Sequence, residues 1–114
     1  MAASTIPASG PVTVVIEYRA LPASVGQAVS ELDALVATVV ATEPHCRGIR
    51  LLRDTGDPAR VLLVEEWTSR EAYQGPHFHT PHITAFKAKA ATLFAGAPKI
   101  EFWGEKSAYW PAKG

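Results

Sequence analysis

The sequence predicts an α+β protein of the split ferredoxin-like kind: four antiparallel strands and two main helices in the order β-α-β-β-α-β, with the helices on one face of the sheet. Three observations carry this. Segments rich in β-branched and aromatic residues recur at 12–20, 60–69 and 99–105, with a less regular one at 48–55. Two longer segments instead place their apolar residues at helical spacing. Proline and glycine stand at nearly every border between them.

The elements follow in chain order. "VTVVIEYRA" (12–20) lies between Pro11 and Pro22 and reads as the first strand. Ser24 with Gln27 three positions on gives a capping-box signal, and Val25, Ala28, Val29, Leu32, Leu35, Val36, Val39 and Val40 then form one stripe of a helix that ends before Pro44. "GIRLLRDT" (48–55) and "RVLLVEEWTS" (60–69) form a hairpin about the turn "GDPA". Alternation on its second strand puts Val61, Leu63, Glu65 and Trp67 on one face, and Leu62, Val64 and Glu66 on the other. With both faces largely apolar, helices are expected on one side and a second subunit on the other. Ser69 caps a short turn "REAYQ" stopped by Gly75 and Pro76. Thr80 before Pro81 opens the second helix, whose stripe is Ile83, Phe86, Ala90, Leu93 and Phe94 with His82 on its edge, closed by Gly96 and Pro98. "KIEFWGE" (99–105) is the last strand.

A chain of 114 residues is one domain by length. Residues 1–10 read as a flexible arm, 11–106 as the domain and 107–114 as an aromatic tail, with Trp103 and Trp110 as packing or dimer contacts. Eleven basic and eleven acidic side chains leave no net charge, which disfavours nucleic acid and anionic membranes as partners. No apolar run reaches the roughly 18 residues of a membrane span. Cys46 is the only cysteine, so an intrachain disulfide is impossible and a cytoplasmic setting is expected.

The chemistry concentrates in "EEWTSREAYQGPHFHTPHITAF" (65–86), which holds three of the four histidines. His77, His79 and His82 offer three nitrogens, as a catalytic zinc site requires, but no carboxylate or thiol interleaves them and the prolines restrict the backbone; no metal is expected. His82, in the first helical turn, is favoured as a neutral imidazole and therefore suits a general base, or else it caps the helix or packs at a dimer seam. Trp67 and Tyr73 offer an N–H and an O–H beside a flat ligand, and His77 is a further candidate for the pocket. His79 reads as solvent-exposed. Glu65 either faces that pocket or pairs with Arg19 or Arg53.

The E-x-W of Glu65 and Trp67, the aromatic Tyr73 six residues beyond, and the H-x-x-T-P-H-x-x-x-F run of His77, Thr80, Pro81, His82 and Phe86 together resemble the antibiotic biosynthesis monooxygenase family, over residues 11–105. That resemblance implies a homodimeric α+β barrel and oxidation of quinol-type or polyketide-like aromatics by O2 with no metal, haem or flavin. It assigns catalysis to His82, Trp67 and Tyr73, and substrate binding to His77, Phe86, Leu63 and Glu65. Some anthrone-oxidising members carry asparagine where Leu63 stands, so a quinol-oxidising member is the better match. Haem-degrading relatives carry a second tryptophan where this chain has Pro76. An isomerase or lyase using the same pocket without O2, or a non-catalytic binding protein, needs the same apolar cavity and stays open.

Overall fold

The computed structural model describes residues 10–112. β1 (Val12–Arg19), α1 (Val25–Thr42), β2 (Cys46–Arg53), β3 (Arg60–Trp67), α2 (Arg70–Gln74), α3 (Pro81–Ala90) and β4 (Lys99–Trp103) follow one another, with 3-10 turns at Pro22–Ser24 and Pro76–His79. The strands form one antiparallel sheet in the spatial order β2-β3-β1-β4. This is the ferredoxin-like arrangement expected. Apart from Gly10, the expected N-terminal arm lies outside the described residues.

Alternation sets the layers. Val14 and Ile16 of β1 with Val61, Leu63, Glu65 and Trp67 of β3 are buried beneath the helices. Ala28, Leu32, Leu35 and Val39 of α1 and Ile83 and Phe86 of α3 close over them. The helical run Pro22–Thr42 is long and apolar enough to cross a membrane by length and composition. Only 22% of that apolar window is buried, and Ala28, Leu32, Leu35 and Val39 are its members in the sheet's core cluster. No described element covers the opposite face of the sheet, where Val15 pairs with Val64 and Leu62 with Leu52. Beyond β4 the chain runs without regular structure from residue 104 to 112, with Tyr109 and Trp110 exposed.

Four local expectations need correction. Ser24 makes no side-chain cap, because its own N–H closes the preceding 3-10 turn on Leu21 O at 2.8 Å and its backbone is not in the extended conformation of a capping residue. β2 starts at Cys46 rather than residue 48, across a register shift at Cys46/Gly48, where Gly48 takes a φ of +152°. β4 stops at Trp103. α3 ends at Ala90, well before Gly96. There the Ala90 carbonyl accepts from Leu93 and Phe94, Leu93 O accepts from Leu21 N, and Ala95 N donates to Arg19 O at 2.8 Å. The two long-range hydrogen bonds, to Leu21 and Arg19, draw the chain off the helical path, and Leu93 and Phe94 still reach the core.

The side-chain caps at the other two helices form as the sequence indicates. Ser69 Oγ accepts from Ala72 N at 3.0 Å and Thr80 Oγ1 from Ile83 N at 3.4 Å. With the Pro76–His79 turn between them, these caps fix the path that carries Tyr73 and His77 back over the end of β3.

Candidate functional site

Because Glu65 and Trp67 are two apart on β3, they point to the same side of the sheet, under the helices. Glu65 is 3% exposed, and its Oε1 accepts a hydrogen bond from Trp67 Nε1 at 2.9 Å. Burial raises the Glu65 carboxyl to about 7; the Trp67 hydrogen bond works against that rise and the negative Glu43 adds to it. Near neutral pH this group can therefore hold or release a proton.

α2 and the turn after it supply the opposite wall. Tyr73 and His77 stack with centroids 5.1 Å apart and planes at 27°, and Trp67 lies 4.8 Å from the His77 ring. Burial pushes the Tyr73 hydroxyl well above the usual phenol range, so it stays a protonated donor. His77 Nδ1 meets Glu43 at 2.9 and 3.0 Å to its two carboxylate oxygens. Burial lowers the His77 pKa and Glu43 partly restores it, so the ring is neutral at pH 7 and able to accept a proton.

These groups face a cavity of about 310 Å³ between sheet and helices. Its walls are mainly apolar, from Ile16, Leu35, Val39, Leu63, Ile83 and Phe86; its polar side chains are Tyr18, Glu65, Tyr73, His77 and Lys87. Lys87 is the one cation among them, with its Nζ 4.9 Å from the Phe78 ring centroid. The volume lies at the small end of ligand pockets, fit for a compact ring system rather than a chain or nucleotide.

Of the residues singled out in the sequence, the fold brings Leu63, Glu65, Tyr73, His77 and Phe86 to this cavity. It does not bring the other two. Trp67 lies behind the lining, 1% exposed, with its N–H engaged by Glu65, so it is a support rather than a wall. His82 faces away from the cavity to Glu43, with Nε2 2.5 Å from Oε2. His79 is exposed. Neither arginine reaches Glu65: Arg19 pairs with Asp57 and Arg53 donates to Pro58 O.

Two contributors went unread in the sequence. Tyr18 continues the inward row of Val14 and Ile16, and strand alternation already marked it. Glu43 gave only a weak local signal, a carboxylate before the proline that ends α1. Among the described residues no set of three or more His, Cys, Asp and Glu side chains is arranged to hold a metal ion.

The model of the antibiotic biosynthesis monooxygenase family matches residues 11–89. Among solved structures, a Caulobacter crescentus CB15 protein provisionally described as an antibiotic biosynthesis monooxygenase is 27% identical with a TM-score of 0.78, over 88% of this chain and 93% of that one. PA3566 from Pseudomonas aeruginosa is 25% identical with a TM-score of 0.78, over 90% of this chain and 100% of the other. Rv0793 from Mycobacterium tuberculosis shares the fold, with a TM-score of 0.76 at 21% identity over 87% and 98% of the two chains. No curated protein sequence matches significantly.

Proposed function

This chain belongs to the antibiotic biosynthesis monooxygenase family, and from that premise we propose that it is a cofactor-independent monooxygenase of quinol-type or polyketide-like aromatics. The observation that carries the reading is the cavity: apolar on most sides, with a neutral imidazole, a protonatable carboxyl and a phenol facing it.

Triplet O2 reacts poorly with closed-shell molecules but accepts an electron from an electron-rich carbanion or phenolate. His77 is the base in this reading. It takes a proton from the activated carbon of the substrate, or from the hydroxyl conjugated with it. The anion passes one electron to O2, and the radical pair combines into a carbon-bound peroxide that takes up a proton. Loss of water, with the second hydrogen of that carbon removed by the base, leaves the new carbonyl. One oxygen atom ends in product and one in water, and all four electrons that O2 accepts come from the substrate carbon as it passes from CH2 to C=O. Tyr73 O–H and the protonated form of Glu65 donate to the oxygens that gain charge.

The test is an oxygen electrode with a panel of naphthoquinols and anthrones, followed by mass analysis after turnover under heavy-isotope O2. Uptake with one label per product supports the reading. Conversion under nitrogen without uptake assigns an isomerase instead, and binding with no conversion in either atmosphere leaves a binding protein.

We also propose that a second copy of the chain covers the open sheet face, in the cytoplasmic setting that its single, free cysteine suits. The face pairs Val15, Leu52, Leu62 and Val64 across strands, and the exposed Trp103, Tyr109 and Trp110 follow from β4 at its edge. A twofold interface of roughly 2,000 Å² is expected. Light scattering at micromolar concentration should return twice the chain mass.

A further inference from the structure

Glu43 has no role in the chemistry above, yet it is the point on which His77 and His82 converge. It caps the C-terminus of α1 with φ −105° and ψ 108°, and its N–H still closes on Val39 O. Pro44 after it favours that extended backbone, so the chain leaves the helix here. The side chain lies between the 3-10 turn carrying His77 and the first turn of α3 carrying His82. Its oxygens receive His77 Nδ1 at 2.9 Å and His82 Nε2 at 2.5 Å. Side-chain exposure rises along the series, from 5% at His77 to 11% at Glu43 and 18% at His82. The carboxylate also sits by the N-terminus of α3, where the macrodipole favours a negative charge.

A carboxylate only accepts hydrogen bonds, so each ring nitrogen facing it carries the hydrogen. For His77 this fixes the proton on Nδ1 and leaves the lone pair on Nε2. We propose that Glu43 is the positioning residue of the site: it sets the tautomer of His77 so that Nε2 serves the cavity, and it offsets the imidazolium formed when His77 takes a proton. His82 is the second clamp, which holds the carboxylate in place. The spacing of His77 and His82 is then explained by a shared partner rather than by a shared metal or by catalysis at both rings. The proposal rests on His77 being the base, and its first test needs no turnover.

Nitrogen-15 NMR of the His77 ring in the wild-type protein at pH 7.5 should show the neutral form with hydrogen on Nδ1. Hydrogen on Nε2 would overturn the proposal whether or not the protein is an oxygenase. Glu43→Gln keeps the shape but presents an amide that can turn its donor to the ring, so the tautomer should become mixed or reversed. With an active substrate, that variant should lose roughly 10²-fold in kcat, less than loss of the base itself, while KM changes little. The acid limb of its pH profile should move to lower pH, since an attractive charge beside the imidazole is gone. The groups facing His77 that also bear on this limb are His82 and Lys87 from α3, Glu65 from β3 and Tyr73 from α2. Unchanged tautomer and unchanged acid limb in a folded Glu43→Gln would reduce the residue to packing. If that variant does not fold, the wild-type spectrum still decides. Activity lost to a chelator and restored by zinc or iron would likewise sink the proposal, since the same three groups would then be ligands.

Discussion

Two three-membered charge clusters stand in different parts of the molecule and have opposite consequences. At the β2–β3 hairpin, Arg60 bridges Glu17 at 2.9 Å and Asp54 at 3.2 Å, with side chains 42%, 33% and 30% exposed. At the end of α1, Glu43 bridges His77 and His82 at comparable distances but largely out of water. In the first, the Arg60 hydrogen bond holds the Glu17 carboxyl below the usual range, and the Gly56 N–H with Arg60 does the same for Asp54. Those charges stay fixed across physiological pH, and water screens them. In the second the partners are imidazoles, and burial lowers the pKa of His77. Similar geometry holds a hairpin in one place and can govern a proton in the other. Exposure and the choice of cation decide between them.

The largest separation of the two should come from His77→Ala, expected to lower kcat by about 10² to 10⁴, as for removal of a positioned general base. His79→Ala, at an exposed site, should leave the rate within twofold, and steady-state oxygen uptake checks both. Next is Glu65. Its folded pKa of about 7 lies above the unfolded value near 4.5. Its contribution to stability is therefore complete below pH 4.5 and is lost as pH rises through 7. Glu65→Gln should remove that fall, on the order of 1–3 kcal/mol across the window, in urea titrations at pH 5 and pH 8. His77 slopes the other way: burial lowers its pKa, so its contribution is present above the unfolded value near 6.5 and is lost on acidification.

Trp67→Phe keeps a ring but strips Glu65 of its donor, which should cost about 1–2 kcal/mol and raise the Glu65 pKa further. Carbon-13 NMR of that carboxyl reads the shift directly. The smallest effect belongs to the exposed cluster. Arg60→Ala should change stability least of these variants in urea titration, with the difference shrinking in 1 M salt.

What was legible in the sequence follows the range of each signal. The strands and helix starts were read from periodicity and from Ser69, Thr80 and the prolines, all of which act within a few residues. Alternation put Glu65 on one face with Leu63 and Trp67, but with both faces of β3 apolar it left open whether Glu65 met the pocket or an arginine. The end of α3 was not legible, because Leu93 and Ala95 exchange hydrogen bonds with Leu21 and Arg19, more than 70 residues away in the chain. Glu43 was missed for the same reason: its partners lie 34 and 39 positions later. The local signal at His82, a histidine in a first helical turn, pointed to a base, whereas the fold turns that ring toward Glu43 and leaves His77 at the cavity. Once β-α-β-β-α-β is accepted, the end of α1 and the segment after β3 fall at the same end of the sheet, and a carboxylate there becomes the natural partner of the histidine pair.

The placement of the three tryptophans gives this protein optical contrast of its own. Trp67 is 1% exposed and packs against Tyr73 and His77, whereas Trp103 and Trp110 are 56% and 84% exposed. Emission should therefore divide into a blue component that iodide cannot quench and a red component that it can. Protonation of His77 should dim only the first, because an imidazolium quenches a neighbouring indole. A quinone entering the cavity should dim the same component by accepting excitation energy or an electron. Burial of the sheet face or the tail by a partner chain should instead shift the second toward the blue, so one fluorimeter trace separates occupancy of the cavity from association of the chain.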